Sequence, residues 1–270
     1  MSKNDSLEQV HCFLLDMDGT FYLGERLLEG ALEFIEVLRK QRREFLFVTN
    51  NSSKDSQQYA DKITRLGLTI LRDKILTSGQ ATAMHVQSQM PNARVYIVGT
   101  SALENEFRAR NFILTEETPD FAVLGFDTTL TYAKLWKLCE LVHAGVPYIA
   151  THPDYNCPTE NGFMPDIGAM IAFVKASTGR EPDLIVGKPN KLLVEKAVER
   201  TGIPISAMCM IGDRLYTDIA LGESAGIPTI LVLSGETQAD DVAMSPYQPS
   251  YIFQNLKAVA DHLLNMNPIN

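Results

Sequence analysis

Short unbroken apolar runs alternate along the chain with stretches in which apolar residues recur every three or four positions. The first pattern predicts strands buried on both faces and the second predicts helices with one packed face. Their alternation predicts parallel sheets flanked by helices, an α/β fold. Cys12-Phe13-Leu14-Leu15 opens the series of strands, and residues 45–48, 94–98, 121–124, 148–150, 184–186, 209–211 and 229–233 continue it. Between the first two, Ala31, Phe34, Ile35 and Leu38 share one helical face after the breaker Gly30. Tyr59, Ile63 and Leu66 share another, in a helix that Ser53 is placed to cap and Gly67 to end. Further helices are predicted from near Ser101 and Thr131, through Ile167, Met170, Ile171 and Val174 to Gly179, from about 190 to 201, up to Ala225, and from about 256 to 264. There is no internal repeat, low-complexity tract or charged tail.

Four of the apolar runs end in polar residues of a particular kind: Asp16, Thr49, Gly187-Lys188 and Gly212-Asp213. In a parallel sheet these ends lie on one edge, and ligands of open α/β sheets bind in the crevice outside that edge. A carboxylate, a hydroxyl, an amine and a second carboxylate converging there suit phosphate chemistry. Asp16-Met17-Asp18-Gly19-Thr20 carries two carboxylates two residues apart on a turn, with Gly19 letting the chain leave the strand sharply. Asp213 and Asp218 bring the local acids to four, and two unit charges about 5 Å apart repel by roughly 3 kcal/mol at an effective dielectric of ~20. A positive partner is required. A hard cation with oxygen ligands, Mg²⁺ before others, answers that need because it takes carboxylates and phosphate oxygens together.

Composition narrows the field further. The chain has 270 residues, long enough for two modest domains, with 45% hydrophobic and 21% charged residues, which excludes collagen-like, disordered and disulfide-scaffold classes. The net charge of −9 leaves nucleic-acid binding without its usual driving force, while a local cation still permits a small phosphorylated ligand. Cys12, Cys139, Cys157 and Cys209 are scattered with no Cys-x-x-Cys pair, so free thiols are expected. No apolar run approaches the roughly 18 to 20 residues of a membrane span, and Met1–Ser6 lacks the apolar stretch of a secretory signal. A cytoplasmic protein without membrane partners is the expectation. No Gly-x-Gly-x-x-Gly follows the first strand, and Pro189 follows Lys188 where a nucleotide-binding P-loop needs Ser or Thr, so both nucleotide motifs are absent.

Asp16-Met17-Asp18-Gly19-Thr20, Val48-Thr49-Asn50-Asn51-Ser52, Gly187-Lys188-Pro189 and Gly212-Asp213-Arg214 with Asp218 resemble, in order, the four signature motifs of haloacid dehalogenase superfamily phosphatases. The resemblance spans nearly the whole chain. The stretch between the second and third motifs is long enough for an inserted α/β cap, as in the NagD-like (4-nitrophenylphosphatase-like) branch, subfamily IIA. Thr151-His152-Pro153-Asp154, Pro158, Gly162, Pro165, Gly168 and Thr178-Gly179-Arg180 resemble that branch as well. His152 stands where the branch commonly has Asn.

The resemblance implies a Rossmann-like doubly wound core, residues 1–79 and 181–270, and a cap that sets specificity, residues 80–180. It implies a Mg²⁺-dependent phosphatase acting on small phosphate monoesters through an aspartyl-phosphate. Asp16 would be the nucleophile and Asp18 the acid and base. Thr49, Asn50 and Lys188 would hold the phosphoryl group. Asp16, Asp213 and the backbone carbonyl of Asp18 would bind the metal, with Asp218 behind them. Phe21-Tyr22-Leu23 would form a flap and residues 157–165 a specificity loop. A phosphomutase or phosphotransferase shares the first step, and a phospho-aspartate signalling module shares the Asp, Thr and Lys. The latter has no use for Asp18. The partner implied is a small phosphorylated metabolite, and a homodimer is compatible with the sequence. For His152 the sequence leaves an interior histidine and a substrate contact open, and for Arg214 a substrate contact and a pair with a neighbouring acid.

Overall fold

The structure, a computed structural model, describes residues 7–159 and 162–266. Met1–Ser6, read above for a secretory signal, and residues 160–161 of the 157–165 loop lie outside the described residues. The chain divides into two compact units, one of Met1–Val48, Tyr59–Leu76 and Lys188–Asn270, the other of Thr49–Gln58 and Thr77–Gly187.

The first unit is built on a six-stranded sheet in the order Tyr251–Phe253, Thr229–Val232, Met208–Gly212, Cys12–Leu15, Glu44–Thr49, Ile75–Thr77. The strand Cys12–Leu15 pairs in parallel with both neighbours, and the pairings from Met208–Gly212 out to Tyr251–Phe253 are parallel too. Sequence order therefore runs outward in both directions from the adjacent strands Cys12–Leu15 and Met208–Gly212. That reversal is a topological switch point, where the chain leaves a crevice at the carboxyl edge. All four residues of Cys12–Leu15 are buried, as a strand covered on both faces must be. The register sets Phe13 beside Cys209 and Phe45, and Leu15 beside Ile211 and Phe47. That face packs with Phe34, Ile35 and Leu38 of the helix Ala31–Lys40 and with Val259 and Leu263 of the helix Leu256–Leu264 in one core cluster. Each such side chain contributes on the order of 1.5–3 kcal/mol by leaving water.

The second unit has its own sheet, ordered Leu184–Ile185, Tyr148–Ala150, Phe121–Leu124, Arg94–Val98, Ile113–Leu114, with every pairing parallel. Its core joins Val98, Leu124, Tyr148 and Ala150 to Leu138 and Val142 of the helix Tyr132–His143 and to Ile167 and Val174 of the helix Ile167–Thr178. An antiparallel hairpin, Asn156–Thr159 with Gly162–Pro165, precedes that last helix.

The α/β expectation holds in both units. The start of the second helix differs from its expectation: it begins at Ser56, capped by Asp55 and not by Ser53. Asp55 Oδ1 accepts the Gln58 N–H at 2.8 Å while Gln58 Oε1 accepts the Asp55 N–H at 3.0 Å, a reciprocal capping arrangement that Ser53 cannot make. Ser53 instead donates its N–H to Asn51 Oδ1 at 2.9 Å, closing a side-chain turn in the preceding loop. The four cysteines are free thiols. Among the described residues no helix is long and apolar enough to cross a membrane.

Candidate active site

The first unit's switch point is flanked by Asp16, directly after the strand Cys12–Leu15, and Asp213, directly after Met208–Gly212. The ladder continues one step beyond the first strand, the Asp16 N–H donating to the Ile211 carbonyl at 2.9 Å, which fixes the backbone from which the Asp16 carboxylate projects. Asp16, Asp213 and Asp218 are all buried, and each offers a carboxylate oxygen within 4.8 Å of the others. The Lys188 ammonium, also buried, donates to Asp16 Oδ1 at 2.5 Å and to Asp218 Oδ1 at 2.6 Å.

Asp218 and Asp213 each accept donors on both carboxylate oxygens. Asp218 accepts the Arg214 N–H on Oδ2 at 3.1 Å as well as Lys188 on Oδ1. It lies in a single π-helical turn, Leu215–Ile219, whose wider spacing is frequent at functional positions. Gly212 is required beside it, because a Cβ there would stand 2.2 Å from the Asp218 Cγ. Asp213 accepts Thr20 Oγ1 on Oδ1 at 3.1 Å and the Glu236 N–H on Oδ2 at 2.7 Å. Gly19 turns the chain past it with φ +83°, and a Cβ at Gly19 would meet Asp213 Oδ2 at 2.4 Å. Only glycine satisfies both the left-handed backbone and the close approach.

Electrostatics follow from this burial. Desolvation pushes the Asp16 carboxyl up to about 8, with Lys188 opposing it and Asp218 and Asp213 adding to it. Asp213 rises to about 6, chiefly by burial and next by Asp218. Burial alone would pull Lys188 down, but Asp16 and Asp218 more than offset it and hold the ammonium charged. With all three ionised, three carboxylates against one ammonium leave two negative charges in the cluster. An all-oxygen donor set with that excess fits a hard divalent cation such as Mg²⁺.

Asp18 is exposed, and its Oδ2 accepts the Tyr22 hydroxyl at 3.3 Å. Tyr22 lies fully buried in the hairpin Tyr22–Leu23 with Arg26–Leu27. Thr49 ends the strand Glu44–Thr49 and its hydroxyl accepts the Asn51 N–H at 3.2 Å. Asn50 follows in the second unit, where its amide donates to both oxygens of Asp154 at 3.2 Å and its carbonyl accepts the Ser78 hydroxyl. The structure thus gathers Asp16, Lys188, Asp213 and Asp218, leaves Asp18 exposed, and builds Thr49 and Asn50 into the second unit's loop.

His152 is fully buried, with Nε2 3.0 Å from Asp166 Oδ1 and Nδ1 3.1 Å from Thr151 Oγ1, which is the interior-histidine reading. Arg214 pairs with Glu236, the neighbouring-acid reading. Thr20 belongs to the first motif without a role of its own there, and Ser234, Gly235 and Glu236 belong to none of the four. The rule that polar residues end an apolar run applies to the last three, since the run 229–233 ends in Ser234-Gly235-Glu236.

Residues 13–113 match the haloacid dehalogenase-like hydrolase family, and residues 185–259 match the HAD-hydrolase-like family. An acid sugar phosphatase of Staphylococcus saprophyticus is 35% identical over 258 residues, 95% of this chain and 99% of that protein. The 5'-nucleotidase YutF of Bacillus subtilis is 33% identical over 244 residues, 90% of this chain and 95% of that one. Among solved structures, a 4-nitrophenylphosphatase from Thermotoga maritima superposes with a TM-score of 0.92 at 48% identity, covering 94% of this chain and 98% of its own. The glycerol phosphate phosphatase Rv1692 of Mycobacterium tuberculosis, in complex with magnesium, superposes with a TM-score of 0.87 at 35% identity, covering 94% and 78%. The chain belongs to the haloacid dehalogenase-like hydrolases. Within that family it is a phosphatase of the NagD-like, 4-nitrophenylphosphatase-like branch, subfamily IIA.

Proposed function

We propose that the protein is a Mg²⁺-dependent phosphatase that hydrolyses small phosphate monoesters through an aspartyl-phosphate on Asp16. The observation that carries this reading is the Lys188 ammonium held between Asp16 and Asp218 at the switch point, with Asp213 alongside.

In the first step the Asp16 carboxylate attacks phosphorus in line and the ester oxygen leaves with a proton from Asp18. In the second, water attacks the phosphorus of the acyl phosphate and gives a proton to Asp18, which restores both groups. The Tyr22 hydroxyl donates to Asp18 Oδ2 and steadies its carboxylate. Lys188 neutralises charge on the phosphoryl oxygens, which the loose transition state spreads over all three. The Thr49 hydroxyl and Asn50 N–H hold the same oxygens. Asp16 and Asp213 through their carboxylates, and Asp18 through its carbonyl, would hold Mg²⁺, which supplies Lewis-acid stabilisation of that charge. Asp218 keeps Lys188 in place from behind.

Residues 80–180, which fall in the second unit, are read as the cap, and the chain as cytoplasmic. The relatives' names, a sugar phosphatase, a nucleotidase and a glycerol phosphate phosphatase, support small phosphorylated metabolites as the substrate class. The test is phosphate release from 4-nitrophenyl phosphate and from a panel of those three ester types. Turnover with Mg²⁺ that chelation abolishes supports the reading, and turnover indifferent to chelation overturns its metal part.

A further inference from the structure

Asp213 is held by a segment far along the chain, Ser234–Thr237, that no signature motif includes. The Glu236 N–H donates to Asp213 Oδ2 at 2.7 Å and the Thr237 N–H to the Asp213 carbonyl at 3.2 Å. Ser234 Oγ donates to the Gly19 carbonyl at 2.9 Å, tying the same segment to the turn that carries Asp18. The backbone lies flat on the carboxylate: a Cβ at Gly235 would stand 2.0 Å from Asp213 Oδ2.

What fixes this segment is the Glu236 side chain. Its Oε2 lies 2.9 Å from Arg214 Nε, and its Oε1 accepts the Tyr216 hydroxyl at 2.8 Å. Arg214 is the residue after Asp213, so a ring closes: Asp213 to Arg214 by the chain, Arg214 to Glu236 by the ion pair, and Glu236 back to Asp213 by its own N–H. The ion pair sets the Glu236 charge against a guanidinium. Burial would pull Arg214 down, yet the Glu236 carboxylate more than offsets it and the guanidinium stays charged.

We propose that Glu236 is a positioning residue for Asp213, orienting its carboxylate toward the divalent metal without touching the ion. This rests on the reading of Asp213 as a metal-binding carboxylate. Partners that orient a ligand in this way change metal affinity by about ten- to a hundredfold when removed.

The experiment measures Mn²⁺ binding directly, by electron paramagnetic resonance of the free ion, on full-length wild type, Asp213→Asn, Glu236→Ala, Glu236→Gln and Arg214→Ala, each first checked for folding by circular dichroism. Glu236→Ala is expected to weaken Mn²⁺ binding about tenfold and to raise the Mg²⁺ needed for half-maximal turnover in proportion. Glu236→Gln, which keeps an acceptor for Tyr216, loses less, and it decides the matter if the alanine variant does not fold. Glu236→Ala and Arg214→Ala combined lose no more than either alone, because both open the same ring. Wild-type Mn²⁺ affinity in the Glu236 variants while Asp213→Asn loses binding overturns this proposal alone. Wild-type affinity in Asp213→Asn overturns the metal reading beneath it.

Discussion

The Lys188 ammonium lies 2.6 Å from Asp218 Oδ1, a fully buried carboxylate thirty residues further along the chain, and the same ammonium is the cation that Asp16 shares. The cluster is therefore short of positive charge by design, and removing its partners has unequal consequences. Lys188→Met leaves three buried carboxylates with no cation, and breaking such a group by removing one partner costs about 3–5 kcal/mol. Asp218→Asn keeps an acceptor for Lys188 and relieves one repulsion, so it costs less. Urea unfolding in chelator measures both, and an Asp218→Asn variant as unstable as Lys188→Met contradicts this ordering.

Asp16 and Asp213 bear on pH. Both carboxyls sit above their ordinary range in the folded chain, at about 8 and about 6, because burial penalises their charged forms. Their folded values exceed the unfolded ones, so in metal-free protein they cost stability that grows as pH rises through those values. That cost disappears as pH falls back toward the ordinary carboxylate range. A bound divalent ion needs them ionised and competes with their protons. Mg²⁺ is therefore expected to raise the melting temperature more at about pH 8 than at about pH 5.5, and an equal or reversed shift contradicts the assignment.

Tyr22 makes the acid–base role of Asp18 testable. Its ring is buried, with the Lys62 ammonium 3.8 Å from the centroid, and its hydroxyl donates to Asp18 Oδ2. Tyr22→Phe keeps the ring and deletes the donor. The expected result is a fall of about three- to tenfold in kcat for an alkyl ester such as glycerol phosphate, with a smaller fall for 4-nitrophenyl phosphate, whose leaving group needs no proton. Equal losses on both esters would contradict a role in proton transfer.

The parts of this arrangement legible in the sequence are those the backbone period encodes. A strand buried on both faces reads as an unbroken apolar run, so Cys12–Leu15 coincides with its prediction, and the polar residue ending each run marks the carboxyl edge. The strand Ile75–Thr77 and the helix Ser78–Gln89 gave no such signal. That helix buries Ser78, Gly79, Gln80 and Thr82 with its alanines, so it has no contrast between a polar and an apolar face. The edge strand Tyr251–Phe253 was missed because it is short and only partly buried. Thr20 and Asp213 lie 193 residues apart, and Glu236 reaches Asp213 across 23. Such contacts depend on which strands become neighbours, which local pattern does not record.

The central claim is that Asp16 becomes phosphorylated, and borohydride trapping during turnover tests it most directly. The wild-type chain, turning over 4-nitrophenyl phosphate with Mg²⁺, is quenched in the burst phase, reduced with borohydride and mapped by peptide mass spectrometry. Reduction of an acyl phosphate converts aspartate to homoserine, and the account predicts homoserine at position 16, absent from chain reduced without substrate. Homoserine at another aspartate, or none during an observed burst, contradicts it.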